Sequence, residues 1–120
     1  MVGESILALK KALRVKKKRD FDRIFYAKKS TANKRFIIYQ LPSDLGHFRA
    51  AVSVSKKIGN AVVRNRVKRL VRHALMPLAS ELSNVDFVII CRKGVESLTF
   101  DEVQKNLIHV LKLSNIHQIK

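Results

Sequence analysis

Residues 50–92 constrain the fold of this chain more than any other stretch. A strand-like run, Ala50-Ala51-Val52-Ser53-Val54-Ser55, leads into Lys56-Lys57-Ile58-Gly59-Asn60, and an amphipathic helix opens beyond that Gly-Asn turn. Val85-Asp86-Phe87-Val88-Ile89-Ile90-Cys91-Arg92 follows, the most apolar run in the chain and typical of a strand buried on both faces. Strand, helix and strand in that order predict parallel pairing of the two strands, and such crossovers are normally right-handed.

The helix has two unlike faces. With Val63 as origin and about 100° per residue, Val67, Leu70, Val71, Ala74 and Leu78 fall within about 80° of it. Arg64, Asn65, Lys68, Arg69 and Arg72 fall between about 100° and 240°, on the opposite side. Arg66 lies on the flank, where its stem can cover the core edge and its head can reach water. Residues 45–80 contain no acid, while Arg49, Lys56, Lys57, Arg64, Arg66, Lys68, Arg69 and Arg72 are basic. An ordinary solvated helix face mixes signs at i±4 spacing. A face of one sign costs self-repulsion, which a polyanionic partner would relieve. Arginine grips phosphate with a planar fork of donors and lysine acts as a point charge.

The whole chain agrees with that reading. It has 25 Lys and Arg against 9 Asp and Glu, a formal net charge of +16, and 47% hydrophobic residues, too many for a disordered basic tail. A folded basic domain meets nucleic acid or an anionic membrane surface. No apolar run approaches the ~18 residues of a membrane span, and the first nine residues make a poor signal peptide. One cysteine, Cys91, excludes an internal disulfide framework and a Cys-rich zinc site. One domain over residues 10–120, preceded by an extension over 1–9, and a cytoplasmic location are expected.

Residues 10–19 hold seven basic residues in ten. Phe21, Ile24 and Phe25 then share one face of a short helix, with Asp20 near its N-terminus. Those rings are expected in the core, the usual fate of apolar helix residues, although an exposed ring could stack on a base. Residues 28–34 read as a polar linker. Arg35-Phe36-Ile37-Ile38-Tyr39-Gln40-Leu41 reads as a strand, Pro42-Ser43-Asp44-Leu45-Gly46 as a turn, and residues 47–55 as a second strand forming an antiparallel hairpin with the first. In that second strand Phe48, Ala50, Val52 and Val54 alternate with Arg49, Ala51, Ser53 and Ser55, leaving a small polar face for a ligand backbone. Met76-Pro77 marks a kink or an end of the basic helix. Thr99 and Glu102 form a candidate capping box for a last helix that turns Val103, Leu107, Val110 and Leu111 inward.

Chemistry of its own is not evident. His47, His73, His109 and His117 are scattered, with no nearby Cys, Asp or Glu at metal-ligand spacing, the glycines form no phosphate loop, and no paired carboxylates suit a two-metal nuclease. If the chain serves catalysis, another molecule supplies the reactive groups.

The stretch Ser53-Val54-Ser55-Lys56-Lys57-Ile58-Gly59-Asn60-Ala61-Val62-Val63-Arg64-Asn65-Arg66-Val67-Lys68-Arg69-Leu70-Val71-Arg72 resembles the signature of the bacterial ribonuclease P protein subunit, with Arg64-Asn65-Arg66 as its Arg-Asn-Arg motif. Asp20-Phe21 and Phe25, then Ala32-Asn33, Phe36 and Tyr39, stand where that family has an Asp-Phe helix and its first strand. The order of elements over residues 10–113 is similar too.

The resemblance implies an α/β (α+β) two-layer sandwich of order α-β-β-α-β-α, with a left-handed crossover against the general rule. It implies a catalytic RNA partner whose Mg²⁺ ions hydrolyse the phosphodiester and so remove the 5′ leader of precursor tRNA. Lys56, Lys57, Arg64, Asn65, Arg66, Lys68, Arg69 and Arg72 then bind RNA. Phe21, Phe25, Ile37, Tyr39, Ser53, Lys57, Lys68 and Arg72 line a cleft for the single-stranded leader. One copy per RNA is expected. No metal site on the protein is assigned, and Asn65 is the only residue named as a metal-linked candidate. Lys28 replaces the glycine that usually closes the family's first helix. The rival readings are a ribosomal or RNA-chaperone-like binding protein and, third, a self-sufficient nuclease.

Overall fold

A computed structural model describes residues 13–117. The expected extension over residues 1–9, and Lys10 and Lys11 of the basic run, lie outside them. The elements are α1 (Lys18–Tyr26), β1 (Ser30–Ala32), β2 (Phe36–Pro42), β3 (Arg49–Ser53), α2 (Ala61–Leu75), β4 (Val85–Cys91) and α3 (Phe100–Leu113), with short 3-10 turns at Met76–Glu81 and Val95–Ser97. The mixed α/β sandwich is present. One sheet in the order β1-β2-β4-β3 carries α2 and α3 on one face, with Phe36, Ile38, Phe87, Ile89, Val67, Val71, Leu107 and Leu111 buried between them. Helix α1 covers part of the other face through Ile24, which packs on Val88 and Val15.

β3 and β4 pair in parallel, as the strand–helix–strand order requires. Two expectations fail. The polar linker at residues 28–34 contains β1, an edge strand paired antiparallel with β2, so the order is α-β-β-β-α-β-α. Its three residues are too few and too polar to show an alternation. Asn33 makes the turn instead: its Oδ1 accepts from the Arg35 and Phe36 amides at 3.0 and 2.9 Å, and its Nδ2 donates to the Asn106 carbonyl at 2.8 Å. The β2–β3 hairpin is also absent, because β4 lies between the two strands and bonds to both. Burial decides this. The most apolar strand takes the centre of the sheet, where both its faces are covered.

Helix ends follow local chemistry. Asn60 caps α2, its side-chain oxygen accepting from the Val63 amide at 3.0 Å. A Cβ on Gly59 would meet Val63 at 2.8 Å, so the residue before that cap has no room for a side chain. α2 stops at Leu75, and Pro77 stands in the first turn of the 3-10 segment that continues it. Thr99 and Glu102 form the expected capping box on α3, at 3.3 and 2.9 Å. Lys28 ends α1 with φ 57°, the left-handed conformation for which glycine is suited. Cys91 is buried in the core, and burial pushes its thiol up to about 12.

Candidate nucleic-acid interface

The strand register builds one side of the interface. Directly paired residues point to the same face of a sheet. Ile37, Ile90 and Ser53 therefore form one row, and Tyr39, Val88 and Ala51 the next, both on the face that α1 only partly covers. On β3 the alternation is as expected: Phe48, Ala50, Val52 and Val54 are buried, while Arg49 and Ala51 are half-buried and Ser53 and Ser55 exposed. Small side chains leave that end of the face low and open.

Helix α1 supplies aromatics to the same face. The three apolar positions that share its stripe do not share a fate. Ile24 is fully buried, Phe21 half-buried, and Phe25 remains 37% exposed. The core expectation for the rings thus holds in part for Phe21, which packs against Ile24, Val15 and Val88, and fails for Phe25. Phe25 instead meets Tyr39 edge to face, with centroids 5.0 Å apart and planes at 72°. Tyr26, 84% exposed, lies beside it in sequence.

Helix α2 contributes cations from the other side of β3. Val67, Val71 and Ala74 are fully buried, which turns Arg64, Lys68 and Arg72 outward at i, i+4, i+8 spacing. Leu75 is also fully buried, although the helical wheel sets it about 120° from Val63. Asn65, Arg66 and Arg69 are exposed, as are Lys56 and Lys57 in the preceding turn. Arg66 has a structural anchor, donating from Nη2 to the Glu96 carbonyl at 3.2 Å. Arg64 Nε is enclosed yet has no hydrogen-bond acceptor among the described residues. Val62, 76% exposed at the start of this helix, is an apolar residue on a charged surface.

Phe21 and Arg72 meet in a depression of about 130 Å³ whose other walls are Arg14, Val15, Ala50, Ala51 and Val52. Burial, and then the nearby Arg14 guanidinium, push Arg72 below arginine's ordinary range. Two cations held together over small side chains make a place where an anion is welcome. Arg14 was missed by sequence reasoning. It stands inside the basic run, and only its bridge to Ala50, with the Val15 amide donating to the Ala50 carbonyl at 3.0 Å, sets it beside β3. Ile37 and Ser53 share a row and Phe25 and Tyr39 a ring contact. Lys57 is exposed in the turn after β3 and Lys68 half-buried on α2.

Among the described residues, no three His, Cys, Asp or Glu side chains are grouped to hold a metal ion. No described helix is long and apolar enough to cross a membrane.

A family model described as Ribonuclease P matches residues 9–114. The chain is 58% identical over 111 residues to the ribonuclease P protein component of Lactococcus lactis subsp. lactis, a match covering 92% of this chain and 95% of that protein. It also superposes on the solved RNase P protein of Staphylococcus aureus with TM-score 0.83 and 38% identity, covering 90% of this chain and all of that one. For the RNase P protein of Thermotoga maritima the TM-score is 0.77 at 30% identity, over 83% and 96% of the two chains.

Proposed function

Because the chain belongs to the ribonuclease P protein family, we propose that it binds a catalytic RNA and the 5′ leader of precursor tRNA, assisting removal of that leader. A protein component implies a ribonucleoprotein endoribonuclease with an RNA partner and a role in tRNA 5′ processing. The finer assignment concerns which surface meets which RNA. The exposed side of α2, with Arg64, Asn65, Arg66, Lys68 and Arg69, is assigned to the catalytic RNA. A-form RNA hides its bases in a deep, narrow groove, so a basic helix acts there mainly through phosphates.

The open sheet face, with Phe21, Phe25, Ile37, Tyr39, Ser53, Lys57, Lys68 and Arg72, is assigned to the single-stranded leader. The observation that carries this is the meeting of Phe21 and Arg72 in one depression beside Ala51. A ring wall and a cationic wall over small side chains suit a strand that stacks its bases and lays down its phosphates, with little sequence preference. The chain's residues bind and orient. Mg²⁺ held by the RNA supplies the hydrolytic chemistry, in a cytoplasmic particle with one protein copy per RNA. Nothing in the fold favours the ribosomal or chaperone-like rival over this reading.

The test is reconstitution of the full chain with a bacterial catalytic RNA and precursor tRNA at low Mg²⁺. Leader cleavage should rise well above that of RNA alone, and no gain would sink the proposal. Reversing charge at Arg64 and Arg69 should weaken binding of the catalytic RNA, whereas altering Phe25 should tell only on leader-bearing substrate.

A further inference from the structure

The sheet face beneath α1 extends beyond the aromatic pair. The register that makes the rows of Ile37 and Tyr39 adds a third, Leu41–Asp86–Arg49. Here a groove of about 530 Å³ opens between the start of α1 and the β2–β3 turn. Its floor sets one cation, Arg49, against two carboxylates, Asp86 and Asp20. Arg49 donates to both carboxylate oxygens of Asp86, at 2.9 and 2.6 Å, and stands 3.5 Å from Asp20. Its rim is different. Lys16, Lys17, Arg19 and Arg23 line the groove together with one exposed carboxylate, Asp44; all four cations are exposed, and none forms an ion pair with a described acid.

Arg14 lines both this groove and the depression holding Phe21 and Arg72, so the two hollows are neighbours with Arg14 between them. No phenylalanine or tyrosine lines the groove, unlike the depression. Four rim cations against one rim carboxylate hold a chain of phosphates along the groove's edge, and His47 is the one aromatic ring among the lining residues for a base to meet.

We propose that the groove is a second stretch of single-strand path: RNA that leaves the cleft past Arg14 lays its sugar-phosphate backbone along Lys16, Lys17, Arg19 and Arg23. The proposal rests on the reading of the cleft as the leader site. The hollow adjoins, across Arg14, a site for unpaired nucleotides, which favours one strand over a duplex. The groove adds affinity in proportion to length and none for base identity.

The experiment uses the reconstituted ribonucleoprotein and two precursor tRNAs, with leaders of about two and about twelve nucleotides, a range that brackets typical single-strand site sizes. The combined Lys16→Glu, Arg19→Glu, Arg23→Glu chain should lose at least tenfold more affinity for the long leader than for the short one. Its log-affinity against log-salt slope with the long leader should flatten by about 2, at about 0.7 for each phosphate no longer neutralised. Lys105→Glu with Lys112→Glu, exposed on α3 away from both hollows, should show no such difference. The gentler Lys16→Gln, Arg19→Gln, Arg23→Gln set should give the same ordering, which guards against a fault in folding.

Equal losses on both leaders, or weakened binding of the catalytic RNA alone, would assign the groove to that RNA and overturn the proposal. No difference between the variants and the unaltered chain would overturn it as well. If the unaltered protein improves binding of both leaders equally, the cleft reading itself fails, and that result is distinct from the others.

Discussion

At the scale of single residues, Lys28 and Phe25 separate stability from binding. Lys28 holds φ 57°, which costs a residue with a Cβ roughly 1 kcal/mol relative to glycine. Lys28→Gly should therefore stabilise the protein by somewhat less than about 1 kcal/mol, after the added freedom of the unfolded chain is set against the relief of strain. Thermal melting checks this, and a fall in melting temperature would show that the αL turn is not strained. Phe25 presents the opposite case. Its ring is partly exposed and contacts Tyr39, so Phe25→Ala should cost little stability but about 1–3 kcal/mol of leader binding, the range for one base–ring stack. Paired binding curves for leader-bearing and leader-free tRNA decide it. If both weaken equally, the ring is structural.

At the scale of elements, the helix caps make the sequence readable. Thr99 and Glu102 stand three apart before an apolar stripe, and the structure forms both halves of that box. Thr99→Ala should cost about 1 kcal/mol in chemical denaturation. The same box carries a pH dependence. The Thr99 amide, then its hydroxyl, holds the Glu102 carboxyl below the usual carboxylate range, and Glu96 is held down by its own amide and then by Lys93. For depressed carboxyls the native state binds fewer protons than the unfolded one. Their contribution is whole above about pH 5 and is lost as pH falls through the folded-state values. Glu102→Gln should flatten that acid limb in melting measured from neutral pH downward.

Elements with a period were legible: α2, α3, β4 and the parallel β3–β4 pair follow from apolar spacing and caps. β1 was not, because three exposed or half-buried residues carry no period, and its signal is the hydrogen-bonding of one asparagine side chain, Asn33. The β2–β3 hairpin looked sound locally and lost to the burial demand of β4. Of the candidate site, the basic face of α2 could be read from the wheel. The exposure of Phe25 depends on how α1 sits against the sheet and the position of Arg14 on its bridge to Ala50, neither of which a local pattern records.

At the scale of the molecule, a net charge of +16 acts in two directions. Added salt screens self-repulsion in the folded protein and also removes the gain from releasing counterions off RNA. Raising salt from about 50 to about 200 mM should therefore raise the melting temperature while lowering RNA affinity, on the order of a thousandfold if about six phosphates are engaged. Melting and filter-binding series on one preparation test both signs. A flat affinity would contradict the electrostatic basis of binding.

The central place of β4 bears on the order in which the protein can come off the ribosome. β2 and β3 have no bonds to each other, and the strand that joins them ends at Cys91. Until synthesis has passed that point, only the small β1–β2 pair can form, and α2 has no completed sheet to pack against. The basic helix thus leaves the exit tunnel before the scaffold that fixes its outward face, in immediate reach of ribosomal RNA. Long-range pairing of this kind closes late. The nascent chain is at its most exposed to unintended polyanions shortly before its last strand and helix emerge.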